Sequence, residues 1–236
     1  VIVEEGGGRV PFTICDYDKE QETITLLVQE VGYSTHRMAM LKEGDELYAL
    51  VGPLGNPTDL DEYKNLVLVG GGIGCAVIYP QAKLRKQKGL KSDVIMGART
   101  KDLLFDIDEF KANSDNVYIS TDDGSMGTKG FVTTVLQERI DAGDKIDCVL
   151  VVGPMIMMKN VSELTRKYNI PTVVSMNTIM VDGTGMCGGC RLTVGGETKY
   201  ACVDGPEFDG HAVNFEEAMT RSRFYREHEQ KCNLRG

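Results

Sequence analysis

The amino-acid sequence predicts an α/β protein in three parts: a small antiparallel β unit, a five-stranded parallel sheet with helices, and a cysteine-rich module. Residues 1–62 contain short β-type runs separated by Gly and Pro. Residues 63–178 contain continuous apolar runs that each lead into a helical pattern, and residues 179–236 are rich in Gly and Cys and end in a charged tail. Each change of pattern along the chain predicts a domain boundary.

The amino-acid composition argues against membrane-spanning and nucleic-acid-binding proteins. The 236 residues are 42% hydrophobic and carry a net charge of −9. No apolar run approaches the about 20 residues that a transmembrane helix needs. The acidic balance, without a Lys/Arg stripe, argues against a nucleic-acid partner. Seven cysteines, an odd number, predict a reducing compartment, and we expect the cytoplasm.

The first part reads as antiparallel strands. The runs ETITLLVQE (22–30) and EGDELYALVGPLG (43–55) are rich in β-forming residues, and turn residues stand at 16–19 and 42–45. This pattern predicts strands joined by turns. Because the chain begins VIVEE, without an initiator Met or a signal peptide, we expect further residues upstream, so this unit is N-terminally incomplete.

The second part reads as a parallel sheet. The runs NLVLVGGGIG, SDVIMGART, NVYISTDDG, CVLVVGPM and IPTVVSM suit strands that are buried on both faces. Residues 75–88, 130–139 and 156–168 have helical length and spacing. Ligands of such sheets bind outside the carboxyl ends of the strands, near the point where the strand order reverses.

Compact or polar residues follow four of these strands. Glycines after the first strand would let backbone amides approach an anion at a helix N-terminus. The candidate nucleotide-binding residues at this edge are Gly71, Gly72, Ile73, Gly74, Arg99, Asp122, Gly153, Pro154 and Met155. Three structural alternatives stay open: a tight turn that only permits packing, a solvated surface Arg99, and an ordinary Asx turn at Asp122-Asp123-Gly124.

The third part contains the most specific motif. Cys187-x2-Cys190-x11-Cys202 matches three ligands of the plant-type [2Fe–2S] spacing, which needs a fourth ligand five residues before Cys187. That position is Asp182, whose carboxylate carries the same charge as a thiolate. The spacing therefore predicts a cluster with the metal ligands Asp182, Cys187, Cys190 and Cys202. A structural Zn²⁺ on these residues, or a dithiol pair of Cys187 and Cys190, are the alternatives.

The stretch RVPFT (9–13) stands ahead of the antiparallel unit and the parallel sheet. This order resembles the ferredoxin-reductase family, in which a similar stretch lies against a flavin. The resemblance implies that the first part is an antiparallel FAD-binding barrel. The residues that it implies for FAD are Arg9 at the pyrophosphate, Pro11, Phe12 and Thr13 beside the isoalloxazine ring, and Gly32, Ser34 and Thr35 at the phosphates.

Nearly the whole chain resembles the electron-transfer subunits of dihydroorotate dehydrogenases and, more closely, the small subunits of NADH-dependent ferredoxin:NADP⁺ oxidoreductases. VGGGIG, GARTKDLLF, STDDGSMGTKG, VGPMIMMK and VDGTGMCGGCRLTVGGETKYACVDGPEFDG carry the resemblance. Asp182 favours the second group, because the dihydroorotate relatives have a fourth Cys there.

The resemblance implies an oxidoreductase subunit of an electron-bifurcating complex. It would take a hydride from NAD(P)H to FAD and pass single electrons through the [2Fe–2S] cluster to a larger, glutamate-synthase-like iron–sulfur flavoprotein. No side chain is needed as an acid, a base or a nucleophile. Arg99 and Lys101 would suit the 2′-phosphate of NADPH but do not decide against NADH. A zinc-stabilised nucleotide-binding module without redox turnover is the hypothesis from a different class.

Overall fold

A computed structural model describes residues 1–225. Regular structure starts with β1 (Ile14–Asp18), β2 (Thr23–Leu26) and α1 (Tyr33–Ala39). The central part contains β3 (Asn65–Gly71), α2 (Gly74–Gln87), β4 (Lys91–Ala98), α3 (Ile107–Asn113), β5 (Asn116–Thr121), β6 (Thr128–Lys129), α4 (Val132–Asp141), β7 (Cys148–Val152), α5 (Met155–Lys167) and β8 (Thr172–Ser175). The last part contains β9 (Arg191–Val194), β10 (Glu197–Tyr200), β11 (Glu207–Asp209) and α6 (Phe215–Arg221).

The central sheet has seven strands in the order β11-β8-β7-β3-β4-β5-β6. All five predicted strands are present and parallel, as β8, β7, β3, β4 and β5. Two short additions were not predicted: β6 pairs parallel to β5, and β11 pairs antiparallel to β8. Strands of two and three residues are too short for a period-2 pattern to reveal. The strand order reverses between β3 and β7, which is the switch point of the sheet.

The helices cover both faces of the sheet. The predicted helices at 75–88, 130–139 and 156–168 are confirmed as α2, α4 and α5, while the short α3 was not predicted. The charged tail contains α6, which ends at Arg221, and the tail residues beyond 225 lie outside the described part. None of the helices within residues 1–225 is long and apolar enough to cross a lipid bilayer.

Two hydrophobic clusters form the core, one on each face. Alternate residues of β3 point to opposite faces, so Val67 and Val69 pack in one cluster while Leu66 and Leu68 pack in the other. The first cluster also contains residues of the cysteine-rich part, among them Phe215 of α6. The third part therefore shares its core with the parallel sheet, and the boundary at 178/179 stays a prediction.

The N-terminal part is only partly a sheet. β1 and β2 form an antiparallel ribbon, whereas the run at 43–55 contributes an isolated bridge between Ile2 and Ala49. The strand predicted at 43–55 is therefore wrong. Residues 50–57 are exposed, with a cis Gly52-Pro53 peptide bond, and a proline cannot donate to a ladder. Lys83 Nζ of α2 lies 2.7 Å from the carboxylate of Asp16 and attaches the ribbon to the sheet.

Arg85 of α2 ties the segment before β3 to the sheet. Its side chain is buried, with only 1% of the residue exposed. The guanidinium donates to the carbonyl oxygens of Leu60 (2.9 Å), Tyr63 (2.6 Å) and Lys91 (3.0 and 2.7 Å). Burial lowers the pKa of Arg85, and the carbonyl oxygens compensate for the lost hydration.

We expect Arg85→Lys to lower the free energy of unfolding by about 2 kcal/mol, because an ammonium group cannot reproduce the planar set of donors. Urea unfolding of the purified chain measures the change. Lys86→Ala, at the exposed neighbouring position of the same helix, is the control and should change stability by less than about 0.5 kcal/mol. Equal stability of the two variants would contradict this role of Arg85.

Candidate functional site

The ends of β3 and β7 approach each other closely at the switch point. A Cβ atom on Gly74 would lie 2.3 Å from the carbonyl oxygen of Val152, and one on Gly153 would lie 3.2 Å from Cα of Gly71. The first contact leaves no room for a Cβ at position 74, whereas the second would require Gly71 to shift by a few tenths of an ångström. Packing therefore accounts for the glycine at position 74, and the same contacts bring the N-termini of α2 and α5 together. A role of these glycines in nucleotide binding stays a prediction.

Both helix N-termini face the carboxyl edge of the sheet. Amides in the first turn of a helix have no intrahelical acceptor, and the helix dipole makes this end attractive to anions. Gly72, with φ of +55°, turns the chain from β3 into α2, and Ile73 and Pro154 are exposed beside it. The side chain of Met155 is buried in the core. Only the backbone amide of Met155 would therefore contact a ligand at this edge.

Two charged residues complete this edge. Arg99 after β4 and Asp122 after β5 are both exposed, and within residues 1–225 neither side chain has a hydrogen bond or an ion pair. Asp123 differs, since its Oδ1 accepts from the amide (2.9 Å) and the hydroxyl (2.7 Å) of Ser125. These bonds, the hydroxyl first, lower the pKa of Asp123. The Asx-turn alternative therefore explains Asp123 and leaves Asp122 available to a ligand.

The three cysteines of the motif lie in two environments. Cys190 and Cys202 are buried, with their Sγ atoms 3.3 Å apart, and burial followed by the contact with Cys190 raises the pKa of Cys202 to about 11. Cys187 is exposed, and the amide of Gly189, 3.4 Å from its Sγ, lowers the pKa of the thiol. An amide that donates to sulfur favours the thiolate, which is the form that binds metals.

The cysteine loop, residues 182–190, uses glycine to turn its backbone. Gly183, Gly185 and Gly188 have φ values of +80°, +87° and +66°, a region that other residues adopt at a cost. These turns leave backbone amides beside the sulfur atoms. Hydrogen bonds from amides to sulfur tune the reduction potential of iron–sulfur clusters. The donor set of three thiols and one carboxylate, with amides around it, fits a cluster in its chemistry.

The Asp182 carboxylate is engaged by other side chains. Its Oδ1 accepts from Arg9 (2.7 Å), and its Oδ2 accepts from the amide (3.0 Å) and the hydroxyl of Thr184. These bonds, those from Thr184 first, lower the pKa of Asp182. Within residues 1–225, no three His, Cys, Asp or Glu side chains converge closely enough to hold a metal ion. The four-ligand assignment therefore stays a prediction.

The stretch RVPFT lies next to the cysteine loop. The contact is the pair of Arg9 with Asp182. Asn56 provides a second link between the first and third parts of the chain: its backbone amide donates to the carbonyl oxygen of Gly205 (2.7 Å), and its side-chain amide donates to the carbonyl oxygen of Val203 (3.1 Å). Pro11 and Thr13 are exposed and Phe12 is partly buried. Nothing in the sequence pattern indicated the Asn56 contacts, because they join segments about 150 residues apart.

The predicted phosphate donors lie at the start of α1. Gly32 precedes this helix and Ser34 is in its first turn, while Thr35 is buried. Oγ1 of Thr35 accepts from the amides of Val31 and Gly32, both at 2.9 Å, and donates to the carbonyl oxygen of Gly32. This hydroxyl therefore closes the helix start, and the role of the three residues at phosphate stays a prediction.

Comparison with known proteins decides the family. The family model for the iron–sulfur cluster binding domain of dihydroorotate dehydrogenase B matches residues 177–214. The Clostridium perfringens dihydroorotate dehydrogenase B (NAD(+)), electron transfer subunit, is 36% identical over 208 residues, which are 87% of this chain and 80% of that protein. The chain belongs to the dihydroorotate dehydrogenase B electron-transfer subunit family.

A second relative in this electron-transfer subunit family is more similar. The Thermotoga maritima homolog of the electron transfer subunit is 47% identical over 230 residues, which are 98% of this chain and 81% of that protein. The match to the iron–sulfur family model over residues 177–214 includes Asp182 and all three cysteines of the motif. It confirms an iron–sulfur domain in the third part of the chain. This result favours the cluster over the zinc and dithiol alternatives.

A solved structure matches the whole chain. It is a chain of the NADH-dependent reduced ferredoxin-NADP oxidoreductase, determined for insight into flavin-based electron bifurcation. The TM-score is 0.92 with 45% identity, over 100% of this chain and 84% of that chain. The predicted resemblance and the predicted fold class are both confirmed.

We expect Gly74→Ala to destabilise the protein by about 2–3 kcal/mol, because the added methyl group meets backbone atoms of β7 that cannot move aside. Thermal unfolding without nucleotide measures the effect. Gly72→Ala is the matched control in the same turn: its Cβ would meet nothing within 4 Å, so only the positive φ would cost about 1 kcal/mol. A smaller loss for Gly74→Ala than for Gly72→Ala would refute the close approach.

Proposed function

We propose that this chain is an electron-transfer flavoprotein subunit that oxidises NADH and delivers single electrons to a larger partner subunit. The observation that carries the proposal is the direct contact between the predicted flavin stretch and the cysteine loop. Arg9 of the first binds Asp182 of the second, so the two predicted redox groups would be neighbours in one chain. The match to the bifurcating reductase over the whole chain supports it.

NADH would bind at the carboxyl edge of the parallel sheet. The N-termini of α2 and α5 offer amides to the pyrophosphate, with Gly71, Gly72 and Gly153 free of side chains. Arg99 would contact a phosphate or a ribose, and Asp122 would accept from a ribose hydroxyl or the nicotinamide amide. The unpaired state of both charged side chains within the described residues is consistent with these roles.

FAD would lie between this edge and the cysteine loop, against Pro11, Phe12 and Thr13. When bound, FAD accepts a hydride and the [2Fe–2S] cluster accepts electrons singly. The residues of this chain need only hold both groups and exclude competing reactions. Asp182, Cys187, Cys190 and Cys202 would hold the cluster, with the glycine amides of the loop donating to sulfur.

The partner would be a larger, glutamate-synthase-like iron–sulfur flavoprotein, as in an electron-bifurcating complex. Two exposed apolar residues lie at the cysteine loop: Val181, directly before it, is 56% exposed and Met186, within it, is 87% exposed. The partner subunit would cover these two side chains beside the predicted cluster ligands. We place the chain in the cytoplasm, which its six free cysteines within residues 1–225 support.

The family model and the curated relatives favour a second candidate, electron transfer to a dihydroorotate dehydrogenase. The two candidates share the NADH, FAD and cluster chemistry and differ in the partner. Assays of the purified natural complex would separate them, since the first requires NADP⁺ and ferredoxin activity and the second requires dihydroorotate oxidation.

We expect NADH, added anaerobically to the full chain, to bleach the flavin absorbance and to produce the electron paramagnetic resonance (EPR) signal of a reduced cluster. In Cys187→Ser the flavin should still bleach, because hydride transfer does not involve the loop, while the cluster signal is lost or altered. Absorbance and EPR spectra of the same samples provide both readouts.

Cys148→Ala is the control, because Cys148 is a buried cysteine of β7 outside the loop, and it should keep both signals. A flavin that NADH does not bleach would refute the nucleotide assignment. A cluster signal in Cys187→Ser identical to that of the unchanged protein would refute the ligand assignment.

A further inference from the structure

The Arg9 side chain joins two distant parts of the chain. Its Nη1 lies 2.7 Å from Oδ1 of Asp182, although the residues are 173 positions apart in the sequence. The Arg9 backbone is anchored by a bridge to Ile2, and the next residue, Val10, donates its amide to Val1. The guanidinium therefore approaches the cysteine loop from an ordered segment.

Asp182 is held from two sides. Arg9 binds Oδ1, while Thr184 and the amide of Met186 (3.4 Å) bind Oδ2. The Asp182 side chain is 17% exposed and that of Arg9 is 55% exposed, so solvent screens part of the guanidinium charge. Oδ2 already accepts three of these bonds, whereas Oδ1 accepts only the bond from Arg9, so Oδ1 keeps a lone pair with which it could bind a metal.

This geometry differs from the role that the family resemblance implies for Arg9. Asp182 uses only Nη1 of Arg9, so the other guanidinium donors could still bind a flavin phosphate. The structure shows the carboxylate as the partner, within a loop that contains two of the predicted cysteine ligands. Arg9, the first residue of the predicted flavin stretch, thus contacts the predicted oxygen ligand of the cluster.

We propose that Arg9 is a positioning residue for Asp182, which fixes the orientation of the carboxylate as a cluster ligand and places a positive charge beside it. The inference rests on the proposed function, since it requires the cluster. Groups that hydrogen-bond to metal ligands orient them and tune the metal. A single carboxylate among three thiolates has more freedom to rotate than they have, and Arg9 and Thr184 remove that freedom.

The charge has a predictable effect on the reduction potential. Reduction adds one negative charge to the cluster, and a nearby cation stabilises the reduced form. Removal of the Arg9 charge therefore shifts the potential to a lower value. Arg9→Lys keeps the charge but provides a point donor in place of a planar one, so its potential should lie closer to that of the unchanged protein.

The experiment compares Arg9→Ala and Arg9→Lys in the full chain, purified anaerobically. Iron, acid-labile sulfide and FAD are assayed per chain, and the EPR signal and midpoint potential of the cluster are measured. Arg37→Ala is the matched control, because Arg37 forms an ion pair with Glu4 in the same N-terminal part. That variant should keep the EPR signal and the potential.

A lower potential and an altered EPR signal in Arg9→Ala, with partial recovery in Arg9→Lys and no change in Arg37→Ala, would support the proposal. If Arg9→Ala does not fold, an altered signal and a shifted potential in Arg9→Lys support it. A cluster signal and potential that match the unchanged protein in both Arg9 variants overturn it, and loss of FAD would then assign Arg9 to the flavin. Absence of iron from the unchanged protein would instead refute the proposed function.

Discussion

The hydrophobic core that the cysteine-rich part shares with the parallel sheet determines where the sulfur atoms lie. Cys190 and Cys202 belong to the same buried cluster as Val151 of β7 and Phe215 of α6. In addition, β11 pairs with β8 at the edge of the sheet. A module of this size has too few apolar residues for a core of its own, so it depends on the sheet for its position. The cysteine loop therefore has a defined place relative to the nucleotide edge.

Backbone geometry prepares both parts of the site before any ligand binds. At the switch point, Gly74 and Gly153 allow two helix N-termini to meet. In the cysteine loop, glycines with positive φ turn the backbone, and the amide of Gly189 donates to Sγ of Cys187. In both places the protein offers N–H groups to negative charge, a phosphate in the first case and thiolates in the second. Arg9 adds a side-chain cation at the Asp182 carboxylate, while Arg191 and Arg221 donate to the carbonyl oxygens of Gly188 and Gly189 in the same loop.

Sequence patterns predicted those features that depend on local chemistry. The five parallel strands, three helices and the spacing that includes Asp182 all come from short-range periodicity or residue identity. Features that depend on long-range contacts were missed: the short β11, the Asn56 contacts with the turn after β10, and the Arg9–Asp182 pair. The run at 43–55 failed as a strand because β-type composition does not supply a pairing partner.

In the proposed function, one chain holds a flavin and an iron–sulfur cluster side by side. The most direct test is to assay iron, acid-labile sulfide, zinc and released flavin in one sample of the full chain purified anaerobically. The structure and the family predict about two irons and two sulfides per chain, with flavin and without zinc. Zinc without iron or flavin would contradict the claim and indicate a nucleotide-binding module with a structural metal site.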